Sequence, residues 1–241
     1  MALTHAIKKM RSSIFQIQIW TPTFQHIVVG TGFAVDESGI IVTANHVVKA
    51  LEHDNIPPGS SLKVGFAGPD YDGPGIQVHA NFKIIDCEVI AQDIINDIAL
   101  LKVNSPLNQI SVNTQIKGKS FMTQAVTSVL DVKRPLDGED ILISGYPLSE
   151  PSLVSTSGII ASNWTLDNGN ERYLADVTAN RGNSGGPVYM PSLQKVIGVC
   201  VAGKTTDVLN ESGEPVGLRH TVGLTYIVPS SFVKNLLNMN V

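Results

Sequence analysis

Cysteine is nearly missing from this 241-residue chain. The two that occur, Cys87 and Cys200, lie far apart in apolar runs, and neither belongs to a C-x-x-C pair. A disulfide scaffold and a cysteine-rich metal centre are thereby excluded, and buried free thiols are expected. Basic clusters are missing too. With a net charge of −4 and no Lys/Arg run, the chain lacks the electrostatic footprint of a nucleic-acid surface. No apolar run reaches the roughly 18 residues that a membrane helix needs, so no membrane association is expected. A signal-peptide core is not evident. The apolar segment after Lys8, Lys9 and Arg11 is Ile14-Phe15-Gln16-Ile17-Gln18-Ile19-Trp20, which alternates with glutamine as a strand does. The first acidic residue is Asp36, which leaves an organelle transit peptide as an alternative; the cytoplasm is the expected location.

What is present is an ordinary globular composition, 43% hydrophobic and 16% charged, with Gly 21 and Pro 13 punctuating short Val/Ile-rich runs. Such punctuation predicts strands and tight turns rather than long helices. Leu3, Ile7 and Met10 fall at helical spacing and predict a short amphipathic helix over residues 2–12. Ile27 to Val35 and Ile40 to Ala44 read as a hairpin joined by Asp36-Glu37-Ser38-Gly39, with glycine where a positive φ is expected. Further strands are expected around Leu62 to Phe66, Phe82 to Ala91, Asp97 to Val103, Ile141 to Pro147, Val154 to Ser162, Tyr173 to Thr178, Val196 to Gly203 and Thr221 to Ile227. Residues 104–136 are polar and irregular, and the boundary between two halves falls there. The chain closes on a capped helix with Phe232, Val233, Leu236 and Leu237 on one face. The pattern is all-β with terminal helices.

The stretch with the most pronounced chemistry is Arg181-Gly182-Asn183-Ser184-Gly185-Gly186-Pro187-Val188-Tyr189. A serine among glycines can sit on a tight path that aims several N–H groups at one point, although a plain glycine turn between strands fits equally well. Gly182-x-Ser184-x-Gly186 also fits the nucleophile elbow of α/β-hydrolases, with Asp207 and His220 following in that order. That elbow needs a helix directly after the serine, whereas Gly185-Gly186-Pro187 leads into strand-like Val188-Tyr189. Upstream, His46 ends a predicted strand and Asp97 opens another. Singly, each is more often structural: a histidine in a core, an aspartate in a turn. His53 lies near His46, but no third ligand accompanies the pair, and no metal or cofactor is expected.

Taken together and in order, these segments resemble the trypsin-like (chymotrypsin-fold) serine peptidases, nearest the bacterial HtrA/Deg protease domain. The matching segments are Gly30-Thr31-Gly32-Phe33, Thr43-Ala44-Asn45-His46-Val47-Val48, Asp97-Ile98-Ala99-Leu100-Leu101-Lys102-Val103, Asp176, Gly182-Asn183-Ser184-Gly185-Gly186-Pro187-Val188 and Gly198-Val199, with Gly223 to Pro229 as a late strand and turn. The resemblance implies two antiparallel six-stranded β-barrels, divided as a helix at 1–12, a first barrel at 13–120 and a second barrel with the terminal helix at 121–241. It implies a serine endopeptidase acting on peptide or protein substrates. His46 would be the general base, Asp97 its orienting carboxylate, Ser184 the nucleophile, and the N–H groups of Gly182 and Ser184 the oxyanion hole. Thr178 would floor the primary pocket, with Val201, Ala202 and Gly203 along one wall and Gly223 along another. No carboxylate stands at that floor, so small or medium apolar side chains are expected before the scissile bond. Asn183 replaces the aspartate that pairs with a newly cut N-terminus in digestive relatives, so activation by such cleavage is not expected. HtrA proteins usually continue into a PDZ domain, and this chain ends at Val241; regulation is expected from a homo-oligomer or a regulatory protein partner docking on residues 1–12. A catalytically silent or latent peptide-binding module on the same fold is the alternative.

Overall fold

The computed structural model describes Ile7 and residues 10–67, 82–116, 119–150 and 152–240. The expected N-terminal helix falls mostly outside these residues; helical backbone is described at Ile7, Met10 and Arg11, with Met10 in the core.

The first barrel consists of β1 (Ile14–Trp20), β2 (His26–Asp36), β3 (Ile40–Ala44), β4 (Ser61–Ala67), β5 (Phe82–Asp93) and β6 (Ile98–Val103). It closes antiparallel in the order β1-β2-β3-β6-β5-β4. A two-stranded ribbon, β7 (Ser111–Ile116) with β8 (Lys119–Gln124), follows. The second barrel is built from β9 (Asp140–Gly145), β10 (Val154–Asp167), β11 (Asn170–Asp176), β12 (Pro187–Met190), β13 (Lys195–Leu209) and β14 (Pro215–Pro229), closed in the order β10-β11-β14-β13-β12-β9. Helices are few: α1 (Asn45–Lys49) after β3 and α2 (Ser230–Asn240) at the end. The expected all-β, two-barrel architecture is what the chain adopts. Among the described residues no helix is long and apolar enough to cross a membrane.

Local rules explain how the strands are set. The β2–β3 hairpin turns on Gly39, at φ +98, with Gly39 N–H donating to the Asp36 carbonyl at 3.1 Å. Hydrogen bonds from Ser38 hold the Asp36 carboxyl below its usual range. Both barrels are buried inside and where they meet, so several strands are apolar on two faces. On β9, Ile141 and Ile143 enter the core of the second barrel while Leu142 joins the cluster that includes the first barrel's core. That is the period-two alternation of a strand with no solvent side. On β1 the face opposite Phe15, Ile17 and Ile19 carries Gln16 and Gln18, both buried. Trp20 Nε1 donates to Gln18 Oε1 at 2.7 Å and Gln18 Nε2 donates to Gln16 Oε1, so the buried amides satisfy one another. The terminal helix α2 buries Val233 and Leu236 and is tied to β13 by Ser230 Oγ donating to the Val196 carbonyl at 3.0 Å.

Candidate active site

His46 and Asp97 are brought together within the first barrel. β3 runs to the fully buried Ala44 and passes directly into α1, whose Val47 and Val48 face the core while the His46 side chain is 48% exposed. Asp97 precedes β6 with φ 59, a left-handed conformation that aspartate tolerates better than most residues. Three hydrogen bonds clamp it to α1. Asn45 N–H donates to the Asp97 carbonyl at 3.1 Å, His46 N–H to Asp97 Oδ1 at 2.8 Å, and His46 Nδ1 meets Asp97 Oδ2 at 2.7 Å. A carboxylate only accepts, so Nδ1 carries the proton and Nε2 is left as the free base. Asp93, the neighbouring carboxylate, is occupied in its own turn, accepting from Asn96 N–H at 2.9 Å and Asn96 Nδ2 at 2.7 Å.

Ser184 comes from the second barrel, on the loop between β11 and β12. Gly182 and Gly185 have φ +99 and +84, and a Cβ at Gly182 would lie 2.1 Å from the Tyr146 carbonyl oxygen. Glycine is therefore required at Gly182 for both conformation and space. Asn183 N–H donates to the Asn180 carbonyl at 3.0 Å, Gly185 N–H to Cys200 at 2.7 Å and Gly186 N–H to Asn183 at 2.9 Å. Next to the nucleophile, the amides of Gly182 and Ser184 have no partner among the described residues. Ser184 Oγ donates to the Val201 carbonyl at 3.2 Å, and no hydrogen bond joins it to His46 among the described residues.

The loop is fastened to the first barrel by a residue whose part the sequence alone did not disclose. Thr31, fully buried on β2, donates through its N–H to the Ser184 carbonyl at 2.8 Å and through Oγ1 to the Gly182 carbonyl at 2.6 Å. The same Oγ1 accepts from Tyr146 N–H at 3.0 Å. A second tie comes from Leu148, in the turn after β9: its N–H donates to the Arg181 carbonyl at 2.6 Å. Leu148 has φ 53 and is 67% exposed, so its conformation is unusual and its side chain faces solvent beside the serine.

Two cavities meet at Ser184. One, of about 340 Å³, runs along Val201, Ala202 and Gly203 and is bounded by Ala179, Arg181 and Thr221. Thr178 and Gly223 are not among its lining residues; they approach one another, a Cβ on Gly223 falling 3.9 Å from Thr178 Oγ1. The other cavity, about 630 Å³, includes His46, Gly182 and Ser184 and is walled by apolar residues of β1 and β2. No carboxylate lines either one. On β11, Arg172 is 3% exposed, with Nη1 donating to the Glu171 carbonyl at 2.8 Å. Burial pushes this guanidinium below its usual range, against the opposing charges of Asp167, Asp97 and Asp93. Nothing in its sequence context marked Arg172. Asp207 and His220, the downstream pair of the elbow reading, lie on the exposed arm of β13 and β14, where Asp207 pairs with Arg219 at 3.3 Å. Among the described residues no group of His, Cys, Asp and Glu could hold a metal ion.

Residues 30–199 match the trypsin-like peptidase domain. The chain belongs to that family. This trypsin-like peptidase domain is 25% identical over 240 residues to serine protease HTRA1B of Danio rerio, covering 98% of the chain and 38% of the relative. It is 25% identical over 223 residues to a probable periplasmic serine endoprotease, DegP-like, of Rickettsia conorii, covering 89% of the chain and 34% of the relative. A probable periplasmic DegP-like endoprotease of Rhizobium meliloti is 26% identical over 212 residues, 87% of the chain and 32% of the relative. The trypsin-like domain thus spans about a third of the length of these relatives. Their names overturn one expectation. A cytoplasmic location, read from the lack of an evident signal peptide, does not agree with relatives described as periplasmic.

Proposed function

We propose that the chain is a serine endopeptidase that hydrolyses peptide bonds through an acyl-enzyme. The observation that carries this reading is the clamp of Asp97 on His46, which leaves Nε2 free in the cavity that also contains Ser184 and Gly182. A serine hydroxyl is a weak nucleophile near neutral pH and needs a base within reach, and an imidazole held in one tautomer supplies it. His46 takes the Ser184 proton; Asp97 stabilises the imidazolium that results. The oxyanion of the tetrahedral intermediate is received by the unpartnered N–H groups of Gly182 and Ser184. His46 then returns the proton to the departing amine, and water repeats the sequence to release the acyl group. The acyl half of the substrate lies along Val201 to Gly203, where an uncharged cavity suits small or medium apolar side chains before the scissile bond.

A second reading, a latent or silent form on the same fold, is favoured by one observation: Ser184 Oγ donates to Val201 rather than to His46. Rotation of the serine side chain separates this state from the active one. The test is labelling with a fluorophosphonate probe, native protein against Ser184→Ala. Labelling that depends on Ser184 supports the peptidase; its absence with and without peptide present favours the silent form. On the strength of the periplasmic relatives we place the chain outside the cytoplasm, which fractionation of the producing cell checks. Assembly with itself or with a regulatory protein is part of the same proposal.

A further inference from the structure

The larger cavity beside Ser184 offers more room than the serine's chemistry requires. At about 630 Å³ it is within the range of roughly 300–1,000 Å³ typical of ligand sites. Its wall is built from Ile19 on β1, Ile27, Val28 and Val29 on β2, and Ile56. Ile27 is 48% exposed, so part of its apolar surface is open to a bound side chain. Among the described residues, Arg181 is the one permanently charged side chain of the lining, and no carboxylate lines it.

Which half of a substrate this cavity meets follows from the chemistry of acyl transfer. The base that takes the serine proton must later deliver it to the leaving amine, so the leaving-group half of the peptide lies on the imidazole side. His46 lines this cavity and does not line the one along Val201 to Gly203. We infer that the wall from Ile27 to Val29 with Ile56 is a subsite for the residue immediately after the scissile bond, and that it selects a bulky apolar side chain there. Leucine, isoleucine or phenylalanine gains apolar burial against this wall. Lysine or arginine would approach Arg181 without a compensating carboxylate, and is rejected. The inference rests on the peptidase reading above and adds the specificity of its leaving-group side.

The test uses the full chain and a series of internally quenched peptides identical except for Phe, Leu, Ala or Lys after the scissile bond. Rates are normalised to sites titrated with the fluorophosphonate probe. Phe and Leu peptides are expected to exceed Ala in kcat/KM by about 10- to 100-fold, the scale of burying one such side chain, with Lys slowest. In Ile27→Asp, the Phe and Leu peptides should fall to the rate of the Ala peptide and the Lys peptide should rise. Should that variant fail to fold, the native peptide series decides alone. Ser184 labelling with rates that do not depend on the varied residue overturns the subsite and leaves the peptidase standing. Neither labelling nor cleavage overturns both.

Discussion

The two halves of the candidate site are held in different ways. The His46–Asp97 half is closed within the first barrel, with three hydrogen bonds joining one helix start to one strand start. The Ser184 half is tied to its own barrel at Cys200 and Leu148 and also across to the first, since the Ser184 and Gly182 carbonyls accept from Thr31. A site divided in this way can keep its base in place while its nucleophile loop changes. The turn of Ser184 Oγ toward Val201 falls on the half that depends on packing between barrels.

The comparison can be broken at either half. The largest effect is expected from Ser184→Ala, which should lower kcat on the order of 10⁶-fold and abolish probe labelling with little change in thermal stability. Asp97→Asn keeps the shape and tolerates the left-handed backbone, yet it lets the imidazole take the wrong tautomer. Its kcat should fall on the order of 10⁴-fold, measured by steady-state hydrolysis of a peptide ester. On the other half, Gly182→Ala places a Cβ against the Tyr146 carbonyl and displaces one oxyanion donor; a loss of about 10²–10³ in kcat is expected. Thr31→Val sharpens the comparison. It removes one hydroxyl and leaves the buried Gly182 carbonyl and Tyr146 N–H without it, at about 1–3 kcal/mol per unsatisfied group. Thermal denaturation should register that loss, Thr31→Ser should restore it, and probe labelling should slow while the NMR signal of the His46 proton hydrogen-bonded to Asp97 stays in place. The smallest effect belongs to the thiols. Burial pushes both Cys87 and Cys200 up to about 12, so the reactive thiolate is scarce at neutral pH. Brief iodoacetamide treatment of the native protein should leave activity unchanged, and mass spectrometry should find both thiols unmodified.

Much of this was legible in residue order. Gly39 in the Asp36 turn, the strand starts after Asp97 and the glycines around Ser184 each follow from local conformational rules. The primary pocket was less legible. Val201, Ala202 and Gly203 line a cavity, but Leu148, Ala179 and Thr221 join them from distant segments, and Thr178 and Gly223 do not line it. No local signal identifies a lining residue, because concavity is a property of several strands together. The buried Gln16 and Gln18 make the same point: alternation on β1 suggested a polar face, and closure of the barrel buried it.

By itself, then, the sequence determined the strand punctuation, the all-β class and the candidate residues His46, Asp97, Ser184 and Gly182, because turn glycines and period-two patterns act over a few residues. The tertiary structure alone decided that Thr31 ties the nucleophile loop across the barrels, that the Arg172 guanidinium is buried within the influence of Asp167, Asp97 and Asp93, and that the amides of Gly182 and Ser184 have no partner among the described residues. Those outcomes depend on which carbonyls other strands bring within about 3 Å of a donor, and hydrogen bonds of that kind are set by packing between segments far apart in the chain.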